Sequence, residues 1–283
     1  MPEPQTVAPP WSVDKLAMLE KYLHAYSVIM ASQVRKGWFA GYSYVDAFAG
    51  TGRYVAAEQR AYVDGSPLVA LRCDPPFGSL AFIEKSRGRL TRLRQVVATD
   101  FPKRRVHFFK GDANEQLRRH VLTAVTKQAR RRALVFLDPY GLEVDFDTVA
   151  ELGRAGTFDI FVNFSTMGIT RLLRRRELPG PEATAILRRV MGDTTWIDRY
   201  YETRIDLFNE AVSRRGRIDP LDLFVDYATR LKPFYRHISE PLAMRNAKNV
   251  PLYVLFVASQ KEPGIKIVNQ TFSRFERVKA AVG

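Results

Sequence analysis

The sequence predicts an α/β fold with a mostly parallel β-sheet between two layers of helices, and three observations lead to that prediction. Strand-sized apolar runs alternate with helical stretches along the first 164 residues. The runs are continuous rather than alternating in polarity, as expected of strands buried on both faces. Four of them end in an acidic residue or a glycine-containing turn, and parallel strands bring such ends to one edge of the sheet.

The elements follow in order from hydrophobic spacing and turn residues. Apolar residues three and four apart predict a first helix from Ser12 to Lys36, which Gly37 can end. We expect strands at 42–48, 79–83, 106–109, 133–137 and 158–164, and further helices at 85–99 and 115–131. The end of the chain reads as a hairpin of 251–258 and 265–272 around Pro263 and Gly264.

A chain of 283 residues is long enough for one large domain with an insertion. We expect a flexible tail at residues 1–12, a main domain of 13–164 and 246–283, and a helical insertion at 165–245 between strands five and six. The insertion is charged and aromatic, which suggests substrate or partner recognition. Its aromatic residues are also compatible with a small core of their own.

Composition narrows the classes of function. The single cysteine, Cys73, cannot form an intramolecular disulfide, and no Cys/His cluster indicates zinc, so we expect no metal and a cytoplasmic setting. No apolar run has the length of a membrane span. The net charge is +14, and residues 85–132 hold 15 Lys/Arg against 3 Asp/Glu. This clustering favours a nucleic-acid partner, and solvated helix faces are the alternative.

The most informative stretch is Asp-Ala-Phe-Ala-Gly-Thr-Gly at residues 46–52, directly after the first strand. It differs from the Gly-x-Gly-x-x-Gly loop of nicotinamide enzymes and favours S-adenosylmethionine. Gly50 and Gly52 let the backbone approach a ligand closely. Asp46 can accept from the methionine ammonium or from a bridging water, and we place Phe48 in the same cofactor-binding set. A tight turn without a ligand is the alternative.

The next two strand ends supply further candidates for the cofactor. Glu84 is placed to accept the ribose hydroxyls, or else it is an exposed residue paired with Lys85 or Arg87. Asp112, followed by Ala113, can accept from the adenine amine. Asp112 can instead be an Asx-type helix cap, or both roles can occur side by side, with Asn114 as the cap.

The fourth strand ends in Asp138-Pro139-Tyr140-Gly141, the candidate catalytic motif. Methylation of an exocyclic amine needs acceptors that draw its N–H groups and direct the nitrogen lone pair at the methyl group. The Asp138 carboxylate and the Pro139 carbonyl can do this, while the Tyr140 ring holds an extruded base. A strand-ending turn with Pro and Gly as breakers is the alternative.

Taken together, these motifs resemble the three-Cys-motif partner proteins. The resemblance rests on Trp11 with Asp14-Lys15-Leu16, residues 44–52, Asp64-Gly65-Ser66-Pro67, residues 111–114, residues 136–141 and residues 251–256. It implies a Rossmann-like class I methyltransferase fold with a seven-stranded, mostly parallel sheet and an antiparallel C-terminal strand, binding S-adenosylmethionine. It also implies a protein partner encoded nearby. More distantly, the opening motif is similar to that of the ribosomal RNA adenine-N6 methyltransferases, which carry Asp-Pro-Pro-Tyr. This chain has a single proline in the corresponding motif, and Tyr140 comes one residue earlier.

Three hypotheses follow. The first is an S-adenosylmethionine-dependent methyltransferase that modifies a nucleobase nitrogen in RNA or DNA. The second is the same chemistry on a small molecule or peptide, for which substrate binding should be insensitive to salt. The third is a non-catalytic partner protein that retains the fold, favoured by the irregular Asp-Pro-Tyr-Gly motif.

Overall fold

The computed structural model describes residues 7–8, 10–56, 62–205, 211–216, 218–246 and 249–282. The strands are β1 (Val7–Ala8), β2 (Gly41–Asp46), β3 (Arg53–Ala56), β4 (Tyr62–Asp64), β5 (Ser79–Glu84), β6 (Val106–Lys110), β7 (Arg131–Leu137), β8 (Phe158–Phe164), β9 (Tyr201–Ile205), β10 (Ala211–Arg215), β11 (His237–Ile238), β12 (Leu242–Arg245) and β13 (Pro251–Ser259). The helices are α1 (Pro10–Arg35), α2 (Ser66–Arg72), α3 (Arg87–Asp100), α4 (Ala113–Gln116), α5 (Leu122–Ala124), α6 (Phe146–Ala155), α7 (Thr166–Leu172), α8 (Pro181–Met191), α9 (Trp196–Tyr200), α10 (Pro220–Leu231) and α11 (Glu262–Val282), with a π-helical turn (Leu117–Val121) between α4 and α5.

The main sheet has the strand order β6-β5-β2-β7-β8-β13, with β11 and β12 both paired to the outer side of β13. Strands β6, β5, β2, β7 and β8 are parallel, and β13 runs antiparallel to β8. The order reverses between β2 and β7, where ligands bind in open α/β sheets. The prediction of a Rossmann-like fold with a mostly parallel sheet and an antiparallel C-terminal strand is confirmed.

The sheet separates two hydrophobic cores. One lies beneath α6, α8 and α10 and includes Val149, Leu187 and Leu223. The other lies beneath α1, α2, α3 and α11 and includes Leu19 and Val268. The central strands are buried on both faces, which explains their continuous apolar sequences. This packing fixes the carboxyl ends of β2, β5, β6 and β7 at one edge.

Two predicted elements are wrong. Residues 265–272 are not a strand, because they lie within α11. Their buried apolar residues, Ile265, Val268 and Phe272, recur at helical spacing, so one helix face packs onto the sheet. The helix predicted to reach residue 131 ends at Ala124, because Arg131 already pairs with Gly41 as the start of β7.

The segment predicted as an insertion, 165–245, contains α7 to α10 and the antiparallel hairpin β9–β10. It also contains β11 and β12, which join the main sheet. Of the predicted tail, residues 1–6 and 9 lie outside the described residues, while β1 pairs with β3 and α1 begins at Pro10. None of the helices in the described part of the chain combines the length and apolarity needed to cross a bilayer.

Candidate functional site

The carboxylates predicted at successive strand ends lie at one edge of the sheet, in the region beyond the carboxyl ends of β2, β5, β6 and β7 that is termed the crevice. Asp46 and Glu84 end the neighbouring parallel strands β2 and β5, and Asp138 follows β7, which pairs with β2 on its other side. The Arg89 guanidinium contacts both Glu84 and the Tyr140 ring, so the Asp138 motif lies beside Glu84. Asp112 lies at the same edge, since the N–H of the preceding Gly111 donates to the Glu84 carbonyl at 3.2 Å. The structure therefore brings the four predicted acidic residues to one side of the molecule.

Asp46 ends β2 and is completely buried. Its carboxylate accepts from the Phe48 N–H at 3.1 Å and from the Tyr44 hydroxyl at 3.2 Å. Among the described residues, no Lys or Arg forms a salt bridge with it. Burial raises the pKa of Asp46 to about 7, hydrogen bonds from Ser66 and Phe48 act in the opposite direction, and the charge of Asp138 raises it further. Asp46 is therefore a buried carboxyl that titrates near neutral pH and has no salt-bridge partner among the described residues.

This raised pKa predicts a pH-dependent effect of Asp46→Asn. The folded protein favours the protonated carboxyl, so this contribution to stability is present below about pH 4 and is lost as the pH rises through about 7. Asparagine does not titrate. We expect the melting temperature of the variant, relative to wild type, to increase by about 2 °C or more between pH 5 and pH 8. A difference that is constant across this range, measured by calorimetry, would contradict the assignment.

Glu84 ends β5 and is buried, so the alternative of an exposed Glu paired with Lys85 or Arg87 is wrong. Its carboxylate accepts from the Gly50 N–H at 3.0 Å, the Ser86 N–H at 2.7 Å and the Arg89 guanidinium at 2.7 Å. A carboxylate offers about four acceptor positions. Two ribose hydroxyls would therefore need the place that Arg89 occupies.

Asp112 acts as the N-cap of α4, as the alternative interpretation of this residue predicted, and Asn114 is not the cap. One oxygen of Asp112 accepts from the N–H groups of Asn114 and Glu115 at 2.9 and 3.3 Å. The Asn114 side chain instead links α4 to the loop before α6, by donating to the Glu143 carbonyl and accepting from the Asp145 N–H. Ala113 is the first residue of α4, so its N–H has no intrahelical acceptor.

The two glycines of the loop have different roles in the structure. Gly50 has φ +62°, in the left-handed region, and its N–H donates to Glu84 within the crevice. Gly52 has φ +81°, and a Cβ there would lie 2.7 Å from Leu93 of α3, so its small size serves packing. Phe48 contributes its N–H to Asp46, while its side chain packs against the core.

Tyr54 fills the space over this loop. A Cβ added to Gly50 would lie 3.1 Å from the Tyr54 hydroxyl, and one added to Gly65 would lie 2.6 Å from the ring. The phenol thus lies against the backbone that a ligand would contact. We expect a ligand on the loop to displace this side chain.

Asp138 follows β7 and has donors on both carboxylate oxygens. The Lys15 ammonium of α1 lies 2.5 Å from Oδ2, and the Asn163 amide of β8 donates to Oδ1 at 2.8 Å. Pro139 is buried, and Tyr140 is 59% exposed, with the Arg89 guanidinium 5.6 Å from its ring centre. Within this motif Tyr140 is therefore exposed to solvent, whereas Asp138 is fixed by its contacts with Lys15 and Asn163.

The contacts that Lys15, Tyr44, Ser66 and Arg89 make with these carboxylates were not assigned from the sequence, and neither was the position of Tyr54 against Gly50. Lys15 and Ser66 lie in motifs that carry the family resemblance, which was the only available signal for them. Tyr54 comes two residues after Gly52, and Arg89 comes five residues after Glu84. Their closeness to a strand end in the sequence was the only indication that they lie at the site.

Exposed cations lie beside the crevice at the β6 edge of the sheet. Lys85 and Arg87 follow Glu84, and Lys110 precedes Gly111 and Asp112. The exposed Lys and Arg of residues 85–132 are Lys85, Arg87, Arg94, Lys103, Arg105, Lys110, Arg119, Lys127 and Arg130. In this range Arg89, Arg118 and Arg132 are paired with carboxylates, and the exposed Arg119 lies 3.9 Å from Glu115. Within the described residues, no group of three or more His, Cys, Asp or Glu could hold a metal ion.

Comparisons with known proteins return structures of similar architecture. The chain is 11% identical to an S-adenosylmethionine-dependent methyltransferase from Clostridium acetobutylicum, with a TM-score of 0.38 over 84% of this chain and 90% of that one. It is 12% identical to Trm1 from Pyrococcus horikoshii, solved with S-adenosyl-L-methionine, with a TM-score of 0.43, and the match covers 89% of this chain and 58% of that one. It is 12% identical to the N-terminal domain of EvdMO1 with SAH bound, with a TM-score of 0.40, and the match covers 83% of this chain and 81% of that one.

Similarities at this level carry no argument about activity or ligands. No family model matches the chain, and no curated protein does. The resemblance to three-Cys-motif partner proteins therefore stays a prediction. The assignment of function rests on the geometry of this chain.

Proposed function

We propose that the protein is an S-adenosylmethionine-dependent methyltransferase that modifies a nitrogen atom, with nucleic acid as its substrate. The observation that carries the proposal is the Asp46 carboxylate, which is buried at the end of β2 without a cation among the described residues. Burying an uncompensated charge is costly, and groups perturbed in this way concentrate at functional sites. A ligand with cationic ammonium and sulfonium groups would supply the missing positive charge.

The residues around Asp46 match the other parts of such a cofactor. The second oxygen of Asp112 and the N–H of Ala113 are suited to the edge of an adenine ring, because one accepts and the other donates. Glu84 is suited to the ribose hydroxyls once Arg89 moves from it. Gly50 permits close approach of the methionine portion once Tyr54 leaves the loop.

When bound, S-adenosylmethionine supplies a methyl group on a sulfonium sulfur, which leaves as a thioether while the acceptor nitrogen gains the methyl group and releases a proton to water. Asp138 and the Pro139 carbonyl would orient that nitrogen by accepting its N–H groups. Tyr140 is exposed beside them and offers an aromatic face for a planar ring. Such methylation requires positioned acceptors rather than a strong base.

Nucleic acid is favoured as the substrate by the exposed cations beside the crevice. Lys85, Arg87 and Lys110 flank its acidic residues, so a phosphate backbone could be held next to the reacting group. Affinity for RNA or DNA should then fall steeply as salt rises, because phosphate contacts release counterions. Substrate affinity that is insensitive to salt would favour the small-molecule or peptide alternative.

Calorimetric titration with S-adenosylmethionine tests the proposed function. We expect binding by the wild type and a loss of affinity of about tenfold or more for Asp46→Ala and for Glu84→Ala, because each removes a charged hydrogen-bonding partner. Asp147→Ala, an exposed carboxylate of α6, is the matched control and should bind like the wild type. No heat of binding with the wild type, or unchanged affinity in both site variants, would reject the proposal.

A further inference from the structure

The Asp138 carboxylate is paired in a way that restricts what it can bind. Lys15 is a residue of α1, 13% of its side chain is exposed, and its ammonium lies 2.5 Å from Asp138 Oδ2. Asn163 Nδ2 donates to Oδ1 at 2.8 Å. Both oxygens therefore have a donor from the protein before any substrate arrives.

Two of these side chains, Lys15 and Asn163, retain unused hydrogen-bonding capacity. An ammonium has three donors, and the only hydrogen bond described for that of Lys15 goes to Asp138. The Asn163 side-chain oxygen is buried and has no hydrogen-bond partner among the described residues. An unmet buried acceptor is costly. The cluster thus offers an acceptor in Asn163 and a cationic donor in Lys15 on either side of one carboxylate.

This arrangement distinguishes two kinds of nitrogen. An aliphatic amine is protonated near neutral pH, carries no acceptor atom, and would bring its positive charge next to the Lys15 ammonium. A nucleobase edge or an amide is neutral and places an acceptor beside its N–H group. Only the second kind can use both Lys15 and the acceptors at once.

We propose that Lys15 determines substrate specificity by donating to an acceptor atom adjacent to the nitrogen that is methylated. The substrate is then a neutral heteroaromatic or amide-like edge, such as that of a nucleobase, and not a polyamine or a lysine side chain. This inference rests on the proposed methyltransferase function. It adds Lys15 and Asn163 to the Asp138 motif as residues that position the substrate.

The test measures transfer from S-adenosylmethionine carrying a labelled methyl group to total bacterial RNA, spermidine and polylysine. The wild type should label RNA and neither polyamine nor polylysine. Lys15→Met should lose about 10- to 100-fold in kcat/KM for RNA, the effect of a lost hydrogen bond to a charged group. Lys15→Arg keeps the charge and the donors, so it should retain most of the activity. Lys21→Met, at an exposed lysine of the same helix, is the matched control.

Cofactor affinity separates this inference from the proposed function. Lys15→Met should bind S-adenosylmethionine like the wild type in calorimetry, so that its loss is confined to substrate transfer. Wild-type labelling of spermidine or polylysine, or undiminished transfer to RNA by Lys15→Met, would overturn the role of Lys15 while leaving the methyltransferase proposal intact. Failure of the wild type to bind the cofactor would instead reject the proposed function.

Discussion

Asp138→Ala is expected to slow methyl transfer by about 100-fold or more while leaving cofactor binding close to that of the wild type. Removal of a group that orients a reacting atom costs on the order of 100-fold or more in rate. The variant also leaves the Lys15 ammonium and the Asn163 amide without their shared acceptor. Transfer from labelled S-adenosylmethionine to total RNA measures the first effect, and calorimetry with the cofactor measures the second.

Asp138→Asn provides a graded comparison, because it keeps one acceptor oxygen but removes the charge that holds Lys15. We expect its rate to lie between those of the wild type and the alanine variant. Asp147→Ala should transfer at the wild-type rate, since that carboxylate is exposed on α6. Full activity of Asp138→Ala would mean that Asp138 serves only to end β7.

Asp159→Ala is expected to lower the free energy of unfolding by about 3–5 kcal/mol, because it breaks a buried ion pair. The Arg132 guanidinium lies 3.1 Å from Asp159 Oδ1 and 3.2 Å from Oδ2. The Tyr26 hydroxyl donates to the same carboxylate at 3.1 Å, and the Ser259 hydroxyl at 2.5 Å. The carboxylate therefore joins α1, β7, β8 and β13, and its loss leaves a buried cation. Urea denaturation measures the effect.

The double variant Arg132→Met with Asp159→Leu separates the cost of an unpaired charge from the value of the pair itself. Replacement of a buried ion pair by apolar side chains is often neutral or stabilising. We therefore expect the double variant to be more stable than Asp159→Ala. If Asp159→Ala unfolds at the same urea concentration as the wild type, the ion pair does not contribute to the fold.

The ends of β2, β5, β6 and β7 could be predicted from the local sequence, because each apolar run is followed directly, or after two intervening residues, by an acidic residue. The parallel order of the strands then places Asp46, Glu84, Asp112 and Asp138 at one edge of the sheet. The role of Asp112 as the cap of α4 was less clear, because Asp112 and Asn114 are both good capping residues and lie two positions apart. The wrong hairpin at residues 265–272 has a similar cause, since a short apolar segment fits either period until its packing is known.

The amino-acid sequence by itself determined the chain order of β2, β5, β6, β7 and β8 and the edge at which the acidic residues gather, because both depend on patterns that repeat over a few residues. Only the tertiary structure decided which groups meet those acids. Lys15 reaches Asp138 across 123 positions, and Tyr54 fills the space over Gly50. Such contacts depend on how a helix or hairpin packs against the sheet, and no local pattern records that packing. Asp46, which has no salt bridge among the described residues, and Asp138, which is held by Lys15, give the crevice its proposed chemistry.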